Sequence, residues 1–236
     1  MSDKIPKSFD TASREANAAG EARRLFRIMS EFVEATERMD EIRPAVSVFG
    51  SARVPADHPY YALAEKTSRL LSDAGFSVVS GGGPGIMEAA NRGAAEAGGS
   101  SLGLSIQLPH EQRSNPYITP ELNFCFHYFF MRKLWFAQMA KALIVFPGGF
   151  GTMDELWEML TLLQTDKLSC HHLILIYGRK YWDKVLNWRH MVRTGTISDR
   201  EYKLLQFADG VDEAFDRVRS QMEEHHLALD AGWDHQ

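Results

Sequence analysis

Cysteine is scarce in this chain: 236 residues contain only Cys125 and Cys170. That excludes a disulfide framework and leaves no paired-cysteine metal motif, so no metal is expected and a reducing, cytoplasmic setting is. Long apolar runs are missing as well. No segment reaches membrane-spanning length, and the polar stretch from Met1 to Ala19 lacks the apolar centre of a signal peptide. An excess of positive charge is also lacking, since 26 Lys and Arg face 31 Asp and Glu for a net charge of −5. Such a balance argues against a surface that neutralises many backbone phosphates, which excludes long nucleic acid as a partner and gives no basic groove for a single strand. The first apolar strand ends in Gly50-Ser51-Ala52-Arg53 rather than G-x-G-x-x-G, and the second ends in glycines rather than a ribose-binding acid. A dinucleotide dehydrogenase is therefore disfavoured. Neither Lys133 nor Lys141 sits in a context suited to a pyridoxal phosphate Schiff base, and no organic cofactor is expected.

What the chain does have is alternation. Continuous apolar stretches at Val46–Phe49, Phe76–Val79, Leu102–Leu108, Phe124–Phe126, Ala142–Phe146 and Leu173–Tyr177 are separated by segments with helical spacing. Strands that are apolar throughout and connected by helices imply a parallel sheet covered on both faces. The expected fold is α/β, a Rossmann-like doubly wound parallel sheet with an N-terminal helical extension. Leu25, Ile28, Met29, Phe32, Val33 and Met39 give that extension an apolar stripe over Ala22–Met39. The expected organisation is a tail and amphipathic helix over 1–40, a nucleotide-binding domain over 41–222 and a frayed tail over 223–236.

Two glycine-rich turns carry the chemistry. Ser80-Gly81-Gly82-Gly83-Pro84-Gly85 follows the second strand and opens a helix from Ile86; Pro147-Gly148-Gly149-Phe150-Gly151-Thr152-Met153-Asp154-Glu155 follows a later strand and opens another. A strand that stops in glycines and restarts as a helix presents backbone N–H groups to an anion. Two such turns at the carboxyl end of a parallel sheet suit a ligand of nucleotide size. The spacing Thr152 to Glu155 is also that of a capping box, with Thr152 as N-cap, worth about 0.5–2 kcal/mol. A cap needs no glycines in front of it, whereas a backbone that approaches a phosphate does. Glu88, one turn into its helix, suits either ribose hydroxyls or the helix dipole. Ser51 offers a hydroxyl at the end of the first strand, or simply a small turn residue. The polar loop Pro109–Glu121 suits a lid or base reader, or a surface loop.

The pair Ser80–Glu88 and Pro147–Glu155, with Met131-Arg132-Lys133 ahead of the second, resembles the LOG ("Lonely guy") family of nucleoside 5′-monophosphate phosphoribohydrolases, many of whose members have been labelled lysine decarboxylases. The likeness spans about Ala45 to Ile176. It implies cleavage of the N-glycosidic bond of an AMP-like or cytokinin riboside monophosphate to free base and ribose 5-phosphate, without a cofactor. By motif position Arg132 and Glu155 match the catalytic pair. Gly148, Gly149, Gly151 and Thr152 match the phosphate-binding turn, and Gly82, Gly83, Gly85, Glu88, Ser51 and Lys133 are the accessory candidates. The resemblance also implies a homodimer or higher homo-oligomer. The rival from another class is a non-catalytic carrier or sensor of a nucleotide or pterin cofactor, using the same phosphate cradle.

Overall fold

The computed structural model describes residues 11–39, 42, 44–108, 114–169 and 171–227. Residues 1–10 and 228–236, to which the sequence assigns polar tails, lie outside the described residues, as do 109–113 of the long loop and Cys170. The N-terminal unit is one helix, α1 (Thr11–Met39), which starts a full three turns before the apolar stripe that announces it. Leu25, Phe26, Met29, Phe32 and Val33 are all exposed on it. No helix among the described residues is long and apolar enough to cross a membrane.

The second unit begins with β1 (Ala45–Phe49), α2 (Pro59–Asp73), β2 (Ser77–Ser80), α3 (Ile86–Glu96) and β3 (Ser101–Ile106). A short 3-10 turn then leads into β4 (Asn123–Phe126), α4 (Phe129–Met139), β5 (Ala140–Val145), α5 (Phe150–Gln164) and β6 (Leu173–Tyr177). It closes with α6 (Arg179–Val185), α7 (Trp188–Arg193), α8 (Asp199–Tyr202), β7 (Leu205–Ala208) and α9 (Val211–Met222). Among the described residues the sheet has seven strands in the order β4-β3-β2-β1-β5-β6-β7, and every pair is parallel. The chain order reverses between β1 and β5, so a crevice opens there at the carboxyl ends of the strands.

Alternation along the strands sorts the core into two layers. Val46, Val48, Val78, Ala142, Ile144, Leu173 and Leu175 pack in one cluster with α2, α3 and α9, through Leu71, Ala90, Ala94, Val218 and Met222. On the opposite face, Phe49 meets Phe136 of α4 edge-on, with ring centroids 4.6 Å apart.

Two elements differ from the sequence expectation. The sequence shows no apolar strand after Leu173–Tyr177, but Leu205–Ala208 forms edge strand β7, paired with β6. Four residues of mixed burial are too short to show a period. The end of α9 continues through Glu223–Leu227 as a π-helical turn, where the ring of His225 stacks on His171 at 4.2 Å.

Candidate active site

The turn after β5 is the geometric centre of the site. Helix α5 starts at Phe150 with Gly149 as its N-cap, and no side chain among the described residues caps it; the Met153 N–H donates to the Gly149 carbonyl at 2.9 Å. This overturns the capping-box reading of Thr152 and Glu155. The helix begins three residues earlier than the spacing implies, because two glycines let the chain turn without a side-chain cap. Thr152 and Glu155 consequently lie inside the first turns, each 5% exposed. The N–H groups of Gly148, Gly149, Phe150, Gly151 and Thr152 have no acceptor among the described residues. Their companion carbonyls are taken: the Ser51 N–H donates to Pro147 O at 3.0 Å, and the Tyr181 hydroxyl donates to Gly148 O at 2.8 Å. A Cβ at Gly149 or Gly151 would meet nothing within 4 Å, so no atom of the described residues requires glycine at either position. Five consecutive free amides at the positive end of a helix are a ready seat for an anion.

Helix α4 supplies the cations. It crosses from edge strand β4 to central strand β5, and this brings Arg132 and Lys133 to the head of α5. Lys133 Nζ bridges Asp154 at 2.8 Å and Glu158 at 3.0 Å, the two acids that flank Glu155 on α5. Burial would lower its pKa, but those two hydrogen-bonded carboxylates outweigh it and leave the ammonium held above its ordinary value. Arg132 lies over the Phe136 ring at 5.4 Å, and its Nε is buried with no partner among the described residues. Desolvation pulls the Arg132 pKa down, opposed by the charges of Glu155 and Asp154. Glu155 shows the mirror effect. Burial pushes its carboxyl up to about 7, against the pull of Arg132 and Lys133, with Glu158 and Asp154 adding to the rise. A buried carboxyl poised near neutrality beside a desolvated guanidinium is suited to proton transfer or to stabilising a developing positive charge.

The first glycine turn belongs to an adjoining cavity of about 150 Å³ lined by Gly81, Gly82, Gly83, Met87, Ser105, Ile106, Leu108, Phe129 and Arg132. Arg132 joins this cavity to the head of α5. Neither Glu155 nor the second glycine turn lines it. Gly85 is the N-cap of α3, with φ at +69°, and a Cβ there would collide with the Ser51 carbonyl, so only glycine fits. Ser51 ties the two turns together: its N–H reaches Pro147 and its carbonyl accepts from the Ile86 N–H at 3.2 Å. Its hydroxyl accepts from the Arg53 N–H. Glu88 Oε1 accepts from the Tyr61 hydroxyl at 2.9 Å, joining α3 to α2.

Sequence reasoning missed three features. Asp154 and Glu158 stand at i−1 and i+3 of Glu155, and no local pattern marks them as partners of a lysine on α4. Asn115 sits in the segment read as a lid or base reader, yet it is buried at 7% exposure. Its backbone N–H donates to Gly82 O at 2.9 Å and its Nδ2 to Gly83 O at 3.1 Å, so it fastens the loop to the first turn. Tyr181 gave no signal at all, because its partner is a carbonyl 33 residues away.

Known proteins resemble this chain in sequence and in fold. The chain is 26% identical over 197 residues to the cytokinin riboside 5′-monophosphate phosphoribohydrolase of Rhodococcoides fascians, covering 79% of this chain and 96% of that one. It is 29% identical over 109 residues to the "Probable cytokinin riboside 5′-monophosphate phosphoribohydrolase" of Oryza sativa subsp. japonica, covering 44% of this chain and 49% of the other. Among solved structures, the molybdenum cofactor binding protein of Rippkaea orientalis superimposes with a TM-score of 0.57 at 17% identity, over 77% of this chain and 98% of its own, a likeness of fold. The model of a family described as "Possible lysine decarboxylase" matches residues 87–218, which hold Arg132, the second glycine turn and Glu155. With that match across more than half its length, the chain belongs to this family, the LOG family.

Proposed function

We propose that the protein hydrolyses the N-glycosidic bond of a nucleoside 5′-monophosphate, AMP or a cytokinin riboside monophosphate, to free base and ribose 5-phosphate. The observation that carries this reading is the placement of a buried carboxyl with a pKa near 7, Glu155, one turn inside a helix whose first amides are free. The 5′-phosphate takes the amides of Gly148–Thr152. The ribose then lies toward Glu155 and Arg132. As the bond between the anomeric carbon and the base nitrogen breaks, positive charge grows on the sugar, and the Glu155 carboxylate stabilises it and orients the attacking water. The water oxygen bonds to the anomeric carbon as the bond to the base nitrogen breaks, the water's proton passes to Glu155, and Glu155 gives up that proton so that the departing nitrogen gains one, leaving ribose 5-phosphate, the free base and an ionised Glu155. Arg132 offers a planar fork to the ribose or phosphate oxygens and opposes the burial that would keep Glu155 protonated.

A carrier of a nucleotide or pterin cofactor would use the same amides, but it has no need of a near-neutral buried carboxyl beside a desolvated arginine. Oligomerisation belongs to the same proposal. Phe129, Phe130 and Phe150 are 54%, 49% and 94% exposed around the site, an apolar surface that a second copy of the chain would cover. In this reading the protein works in the cytoplasm on a small molecule.

The test is incubation with a panel of nucleoside 5′-monophosphates and the matching nucleosides, with chromatographic detection of base and ribose 5-phosphate. Release of base from monophosphates alone supports the proposal. Tight binding with no base released from any of them would replace the enzyme with the carrier.

A further inference from the structure

The amides of the second glycine turn can face an anion only if their peptide planes are held the right way round. In a planar trans peptide the C=O of one residue and the N–H of the next point in opposite directions. Whatever grips a carbonyl therefore aims the following amide. The Pro147 carbonyl is held by the Ser51 N–H, which aims the Gly148 amide. The Gly149 carbonyl is held by the Met153 N–H within the start of α5, which aims the Phe150 amide. Between them lies the Gly148–Gly149 peptide, flanked by the two residues with the widest backbone freedom, and a half-turn of its plane would swing a carbonyl oxygen toward the anion in place of an N–H. Among the described residues its oxygen has a single polar partner, the Tyr181 hydroxyl at 2.8 Å.

We infer that Tyr181 is a positioning residue that locks the Gly148–Gly149 peptide with its N–H toward the bound anion and so sets the affinity of the site for a terminal phosphate, an inference that rests on the phosphate seat proposed above. The side chain is itself well placed to act as a fixed post. Helix α6 has Gly178 as its N-cap, whose φ of +85° turns the chain sharply after β6, and the Tyr181 N–H donates back to the Gly178 carbonyl at 3.0 Å. The Tyr181 ring packs edge-on against the fully buried Trp182, with centroids 5.2 Å apart. The first turn is managed in the same way, with Asn115 holding the carbonyls of Gly82 and Gly83. In both turns the oxygens are tied down by elements that come from elsewhere in the chain.

The test compares the parental protein with Tyr181→Phe, which removes the hydroxyl and keeps the ring packing. In the ¹⁵N-labelled parental protein, AMP is expected to shift the amides of Gly148 to Thr152, Gly149 included. In Tyr181→Phe, KM for AMP is expected to rise about tenfold, as for one lost hydrogen bond, with kcat within about twofold. Binding of adenosine, which has no phosphate, is expected to match the parent, and this comparison separates a lost anion contact from general loosening of the fold. Equal AMP affinity in both proteins would overturn the inference while leaving the phosphate seat standing. So would a parental Gly149 amide that stays still while its neighbours move. If no amide of the turn responds to AMP in the parental protein, the phosphate seat itself is wrong and the role of Tyr181 falls with it.

Discussion

Gly81 is the surface on which the Arg132 guanidinium rests: a Cβ at Gly81 would stand 2.5 Å from Arg132 Nη2 and 2.7 Å from Met87 Sδ. Both are far ends of flexible side chains, so Gly81→Ala would displace them at little cost to the fold, within about 1 kcal/mol. Displacing the arginine removes it from the head of α5. The expected outcome is a thermal midpoint close to the parent with kcat/KM lowered about 10- to 100-fold, since small misplacements of a positioning group are felt strongly. Steady-state kinetics beside a melting curve check this.

Glu155→Gln is expected to keep AMP binding and to lower turnover by about 10²- to 10⁴-fold, the usual weight of a general acid–base group. Turnover near the parental rate would remove Glu155 from the reaction. The parental activity should rise with pH through about 7, as the buried carboxyl becomes ionised.

Stability should move the other way. The folded pKa of Glu155 is raised above its ordinary value of 4.5 to about 7, so between those pH values the folded state holds a proton that the unfolded state has released. Stability attributable to this group is therefore lost as pH rises from about 4.5 to about 7, by an amount on the order of 3 kcal/mol, and is flat above. Glu155→Gln cannot titrate and should abolish that slope, a difference that denaturant melts at pH 5 and pH 8 measure.

Lys133 and Glu158 pull Glu155 in opposite directions. Lys133→Gln takes away a positive charge and should move the acidic limb of the rate profile to higher pH. Glu158→Gln takes away a negative charge and should move it lower. Profiles that shift the same way in both variants would contradict the electrostatic arrangement across α4 and α5.

Gly149 faces open space, so Gly149→Ala should leave the melting midpoint nearly unchanged. A methyl group there would stand where the phosphate is proposed to sit, and AMP affinity should fall while adenosine affinity holds. Calorimetric titration of both ligands decides it.

The central strands were legible because β1, β5 and β6 are apolar at nearly every position, as strands buried on both faces must be. The short edge strand β7 was not, since Leu205-Gln206-Phe207-Ala208 pairs on one side only and shows no run. The turn at Pro147–Gly151 was legible from its glycines and its place between a strand and a helix. The start of α5 was misplaced by three residues, because Thr152 and Glu155 imitate a cap that the glycines make unnecessary. Lys133 was visible only as a neighbour of Arg132. Its partners, Asp154 and Glu158, lie on the next helix, and nothing local selects them.

Residue order alone determined the alternation of strand and helix, the positions of both glycine turns, and the kinds of side chain near them, since periodicity and backbone freedom are local properties. Only the folded chain decided that Arg132 lies against Gly81, that Tyr181 reaches Gly148, and that Glu155 is buried among four charges. Desolvation and Coulomb interactions depend on every neighbour within a few ångströms, whichever element it comes from. Strand order brings those neighbours together from segments far apart in the chain.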